Sequence, residues 1–220
     1  FYIIVEPLED NIFQSIKAGD LPEGRVKKKD RTIIDKLVEL GLDTKTAQRY
    51  RHIYKGNVLV DDTRGIVHIG EVIEMIMDGF EQVINAGPLA REPCAKMRIR
   101  IMDMKLHEDA IHRGPAQVYP AIRDSIKNSM MSAKPGILEP VQVMQFDSPA
   151  EYLGSLSGMI QNKRGQLINV DQQGDHISVK GKLPVAEMFG IASELRSVTS
   201  GRGSQYMVDQ MFEPLPTNLQ

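Results

Sequence analysis

Tryptophan is absent from this sequence of 220 residues, aromatic residues make up only 5% of it, and Cys94 is its single cysteine. One cysteine excludes an intrachain disulfide and fits a reducing compartment such as the cytoplasm. No apolar run approaches the roughly 20 residues of a membrane-spanning helix. The opening Phe1-Tyr2-Ile3-Ile4-Val5 lacks the basic start of a signal peptide, so no membrane partner is expected. The formal net charge is −2, so no overall positive field advertises a nucleic acid, and any polyanion contact has to come from a local patch. Neither a Gly-x-x-x-x-Gly-Lys-Ser/Thr loop nor a dinucleotide-binding glycine pattern occurs, and Gly201-Arg202-Gly203 is too short to be either. There is no initiator methionine, and a strand-like run at the first residue suggests a chain cut from something longer.

What is present is the composition of a packed protein. Hydrophobic residues make up 41% and charged residues 25%, which argues for globular structure rather than disorder. The length allows one large or two modest domains. Twelve methionines suit gap-filling in a core, with a soft binding surface as the other use. Residues 1–136 hold 21 Lys and Arg against 20 Asp and Glu, whereas residues 137–220 hold 6 against 9. Basic residues are thus concentrated in the first part.

Periodicity predicts an α+β fold. Phe1–Val5 reads as a buried strand, Asp10–Ala18 and Thr32–Leu40 as helices, and Asp43 or Thr44 as the cap of a further helix running to about Arg51. Asn57–Asp61 reads as a short strand and Gly70–Ala86 as the clearest helix. Lys96–Leu106 alternates like a half-buried strand whose phase slips at Ile101-Met102, which predicts a bulge or a strong twist. Gln117–Met131 is helical, with Pro120 acceptable only in its first turn. Lys134-Pro135-Gly136 is the best domain boundary, dividing 1–136 from 137–220. Beyond it, strand, proline-opened helix, Arg-Gly turn and strand occur twice. Two such units predict a ferredoxin-like split β-α-β fold.

The most informative stretch is Leu106-His107-Glu108-Asp109-Ala110-Ile111-His112-Arg113-Gly114-Pro115-Ala116-Gln117, between the alternating strand and the helix. Loops between rigid elements carry function disproportionately often. A metal site could draw on His107, His112 and Asp103, but the histidines are five apart rather than the i, i+4 of a zinc-binding helix, and no third histidine is near. Acid–base catalysis has suitable groups but no evident nucleophile or pocket beside them. RNA contact is the remaining use: His112 can stack or hydrogen-bond, and Arg113-Gly114 can approach a phosphate backbone closely. The run Lys27, Lys28, Lys29 and Arg31 could add phosphate contacts, or be solvated surface.

This stretch closely resembles the diphthamide loop of the elongation factor 2 family of archaea and eukaryotes. Phe1-Tyr2-Ile3-Ile4-Val5-Glu6-Pro7-Leu8 is similar to the start of that family's fourth domain. Gly154-Ser155-Leu156-Ser157-Gly158-Met159-Ile160-Gln161-Asn162-Lys163-Arg164-Gly165-Gln166 and Leu183-Pro184-Val185-Ala186-Glu187-Met188-Phe189-Gly190 resemble its fifth. The resemblance covers nearly the whole chain. Pro115-Ala116, where eukaryotic members carry a run of glycines, looks archaeal.

The resemblance implies a fourth domain (1–136) with the fold of ribosomal protein S5 domain 2, and a ferredoxin-like fifth domain (137–220). It implies a part in translation elongation: contact with the ribosome, ribosomal RNA and the tRNA-mRNA pair at the decoding site during GTP-dependent translocation. His112 matches the histidine converted to diphthamide, which makes the diphthamide-forming enzymes partners and ADP-ribosylating toxins possible ones. Asp109, Arg113 and Gly114 would face RNA or the modifying enzymes, or shape the loop, and His107 would support it from within. No catalytic residue, metal or cofactor is implied for this stretch; GTP and magnesium belong to a GTPase domain of the parent that it does not contain. The rivals are a stand-alone metal-dependent enzyme using His107, His112 and Asp103, and a general RNA-binding module.

Overall fold

The computed structural model describes every residue except Lys28, Val67 and Gln220. It divides into two compact units, Phe1–Pro135 and Gly136–Gln220.

The first unit is built on a five-stranded sheet: β1 (Tyr2–Pro7), β2 (Gly24–Arg25), β3 (Tyr50–Tyr54), β4 (Asn57–Asp61) and β5 (Met97–Asp103). Their order is β1-β5-β4-β3-β2, with β4 and β5 parallel and every other pair antiparallel. The central strand β4 is buried on both sides. Val58 and Val60 join a cluster with Ile12 and Ile16 of α1 (Asp10–Ala18) and Ile33, Ile34 and Leu37 of α2 (Arg31–Glu39). Leu59 turns the other way and, with Ile99 and Ile101, meets α4 (Ile69–Asn85) and α5 (Pro115–Ser132). That alternation is what a period of two requires of a strand covered on both faces.

Helices α4 and α5 approach closely. A Cβ on Gly79 would lie 2.4 Å from the Ile122 side chain, so glycine is what lets the two helices meet there. Along α5 the buried positions are Val118, Ile122, Ile126 and Met130, spaced four apart on one face.

Three expectations need correction. Tyr50–Tyr54 is a strand, β3, and the helix before it, α3, spans only Thr44–Ala47. Two charged or polar residues of β3, Arg51 and His52, are buried with partners. Arg51 donates to the carbonyls of Gln48 and Tyr50, both at 2.9 Å, and His52 Nε2 pairs with Glu81 at 2.7 Å. The opening strand is not buried: β1 is an edge strand, and Tyr2 and Ile4 are exposed. Pro120 lies in the second turn of α5, because the helix begins at Pro115. It is tolerated because both it and Ala116, whose carbonyl loses its partner, are exposed to water. The predicted bulge is present: Tyr2 pairs with Asp103 and Ile3 with Ile101, leaving Met102 as the extra residue.

The second unit runs β6 (Leu138–Pro149), α6 (Leu153–Asn162), β7 (Gln166–Gln173), β8 (His176–Pro184), α7 (Ile191–Val198) and β9 (Ser204–Pro214). The sheet order is β7-β8-β6-β9 with antiparallel neighbours, the ferredoxin-like arrangement. Both helices pack one face, around Phe146, Leu156, Ile160, Val179, Leu183 and Leu195. The second helix, expected near Val185–Arg196, spans only Ile191–Val198. Val185–Glu187 forms a 3₁₀ turn, and Gly190, at φ +76°, restarts the chain as α7. Every residue of β7 is exposed.

Candidate functional site

The parallel pair β4 and β5 carries its C-terminal residues, Asp61 and Asp103, to one end of the first sheet. Tyr50, which opens β3, pairs with Val60, and the N–H of Val26, just past β2, donates to the Arg51 carbonyl at 2.7 Å. The histidine loop and the basic connector therefore leave the sheet at the same end. Ligand sites of sheets with parallel strands favour this end.

The loop is a built structure. Asp103 Oδ1 accepts from the N–H of Met104 at 2.8 Å as β5 ends. Residues Ala110–Arg113 form a 3₁₀ turn capped by Asp109, whose Oδ1 accepts from the Ile111 N–H at 3.0 Å. The His112 N–H donates to the Asp109 carbonyl at 3.1 Å. The Asp109 N–H donates to His107 Nδ1 at 3.0 Å, which leaves the proton of a neutral His107 ring on Nε2. The rings of His107 and His112 meet edge to face with centroids 4.5 Å apart. His112 is exposed at the turn, and Ile111 beside it is 73% exposed.

Arg113 is placed otherwise than an RNA-facing residue would be. Its side chain is 6% exposed and turned inward. One terminal nitrogen donates to the carbonyls of His107 at 2.6 Å and Glu108 at 2.5 Å. Nε reaches Glu71 Oε2 at 3.0 Å, and the other terminal nitrogen lies 2.8 Å from the same oxygen. Arg113 thus shapes the loop, and its guanidinium is already engaged. Glu71, in the first turn of α4, also meets His68 Nδ1 through Oε1 at 2.5 Å. The hydrogen bond from Arg113, and after it that from His68, holds the Glu71 carboxyl below its ordinary pKa. His68 itself sits in the left-handed region at φ +67° as α4 begins.

Gly114 opens α5 with φ −80° and ψ 175°, an extended conformation open to any residue. A Cβ there would meet only Gln117 Oε1, at 3.4 Å. Lys27, Lys29 and Arg31 are exposed and have no ion pair among the described residues; Lys28 lies outside them. Among the described residues no hydrogen bond or ion pair joins them to the histidine loop. Among the described residues no three of His, Cys, Asp and Glu come together to hold a metal. The rival site of His107, His112 and Asp103 therefore has no geometry behind it. Glu71, His68 and Ile111 were missed from sequence. Glu71 stands 42 residues from Arg113, and only His68-x-x-Glu71 at a helix start hinted at its pairing.

Comparison with known proteins decides the family. Residues 22–134 match elongation factor G, domain IV, and residues 136–220 match the elongation factor G C-terminus. The chain belongs to the elongation factor G and elongation factor 2 family. Its two folds are those expected, S5 domain 2-like followed by ferredoxin-like. Over its full length it is 46% identical to elongation factor 2 of Nanoarchaeum equitans, 45% to that of Thermococcus sibiricus and 44% to that of Methanocaldococcus jannaschii. It spans about 30% of the length of each of these elongation factors. The two matched domains occupy nearly all of it, so the GTPase domain is not within this chain.

Proposed function

We propose that this chain is the ribosome-contacting part of an archaeal elongation factor 2, comprising domain IV over 1–136 and domain V over 137–220, and that His112 is its diphthamide acceptor. The parent would couple GTP hydrolysis, with magnesium, in another domain to tRNA-mRNA translocation in the cytoplasm. Its partners would be the ribosome, ribosomal RNA and the tRNA-mRNA pair at the decoding site. The diphthamide-forming enzymes would act on His112, and an ADP-ribosylating toxin would then find its target there. None of these partners calls for a membrane, and among the described residues no helix is long and apolar enough to cross one.

The observation that carries this reading is an exposed imidazole on a turn whose other polar groups are spent on holding the turn. His107, Asp109 and Arg113 satisfy backbone groups, and His112 alone of the four is left with its ring available. A side chain so presented can be extended by a bulky, hydrogen-bonding modification without disturbing packing. The exposed Lys27, Lys29 and Arg31 at the same end of the sheet are suited to phosphate contact as the tip approaches RNA.

Peptide mapping across His112 tests the reading directly. A chain produced in an archaeal host should carry added mass on the His112 peptide, and one from a host without the modifying enzymes should not. An unmodified His112 in both hosts would overturn the assignment. Ribosome binding that competes poorly with unrelated RNAs, at any salt concentration, would point instead to a general RNA-binding module.

A further inference from the structure

We propose that Glu71, on α4 and outside the loop, is the positioning residue that sets how His112 is presented. The proposal rests on the reading of His112 as the working tip. The loop carries no disulfide and little apolar anchorage at its apex, where Ile111 and His112 are both exposed. Its shape depends on Arg113, which draws the carbonyls of His107 and Glu108 onto one nitrogen from the far side of the turn. That geometry requires the guanidinium to point inward, and its other two nitrogens have a single partner, Glu71 Oε2. His68 occupies the second carboxylate oxygen and fixes the rotamer of Glu71. The chain of contacts runs His68, Glu71, Arg113, then the backbone at 107 and 108, with His112 held between Asp109 and Arg113.

An acid in the first turn of a helix has an ordinary use, complementing the helix dipole. That role would support α4 and leave the loop untouched. The pairing with Arg113 predicts the reverse. Glu71 is 48% exposed on its side chain, so replacing it leaves no buried hole. The core of α4 at Val72 and Ile76 stays as it is. Without Glu71, only the carbonyls of His107 and Glu108 hold the guanidinium inward, and the turn opens more readily at the Arg113-Gly114 bond.

That bond is a trypsin site, and the buried Arg113 protects it. Brief native digestion of the full chain, followed by mass spectrometry, reads its opening as a cleavage rate. Glu71→Ala should be cut after Arg113 about tenfold faster than the unaltered chain, the effect of losing one charge-assisted hydrogen-bonded pair. Glu71→Gln, which keeps an acceptor oxygen, should fall between. In Arg113→Lys, which offers one ammonium in place of the guanidinium fork, adding Glu71→Ala should change the rate less than it does in the unaltered chain. Unchanged cleavage in Glu71→Ala would overturn the proposal. So would a rise shared equally by Lys36 and Arg123, since Glu71 would then support the domain and not the loop. The same variants exposed to the diphthamide-forming enzymes should show a parallel fall in modified His112. If His112 of the unaltered chain takes no added mass, the diphthamide reading fails, while the cleavage rates still decide for or against Glu71.

Discussion

Among single residues, His112 and His107 divide the work of the loop, and substitution should separate them. The His112 ring holds nothing in place except its edge contact with His107. His112→Ala should therefore leave urea unfolding within about 0.5 kcal/mol of the parent and abolish diphthamide formation; a large loss of stability would show a core role. His107 is tied to the backbone by the Asp109 N–H. His107→Ala should speed amide exchange at Asp109 about tenfold by removing that acceptor, whereas His107→Asn, with an oxygen near the Nδ1 position, should restore most of the protection. Equal exchange in both variants would exclude the supporting role. The composition of this loop was legible in the sequence, and so was the odd concentration of polar groups. The inward turn of Arg113 was not. Whether an arginine faces water or its own loop depends on where a carboxylate lies in space, and Glu71 reaches it only through the packing of α4 against α5.

Elements were legible where one kind of force acts alone. Helix α5 showed its stripe because Val118, Ile122, Ile126 and Met130 are all apolar and all inward. The bulge at Met102 showed as a break in alternation. Strand β3 stayed hidden because burial there is bought with partners: Arg51 and His52 are polar by composition and interior by hydrogen bonding. Edge position hid equally well, since Phe1–Val5 is as apolar as a central strand. The α4–α5 contact gives the prediction at this scale. Gly79→Ala improves helix propensity by about 1 kcal/mol, but the new methyl meets Ile122 in a filled core, which costs about 1–3 kcal/mol. Net destabilisation in urea unfolding is expected, and relief by a companion Ile122→Val should follow. A stabilised Gly79→Ala would show that the helices separate freely.

For the molecule as a whole, each unit has its own hydrophobic clusters, with Phe80 and Ile101 in one and Phe146 and Leu183 in the other. Residues 136–220 produced alone should thus unfold cooperatively in urea, with sheet-rich circular dichroism beforehand; a gradual transition would mean that this unit needs the rest of the chain. The internal repeat made its topology readable from sequence, because both copies carry the same order of signals. The exposure of β7 was not readable, since Leu167, Ile168 and Val170 look like core residues until β7 is seen to lie at the edge. One last feature starts at the histidine loop. Helix α5 starts at the loop and runs for 18 residues, about 27 Å. In mechanical terms it is a rod with one notch. Ile122, Ile126 and Met130 clamp most of its length, and Ser129 is pinned to the Ile3 carbonyl. The notch at Pro120, where a rung of hydrogen bonding is missing, lies near the end that carries the loop. Bending compliance is greatest there, where Val118 is the only buried residue between the notch and the loop.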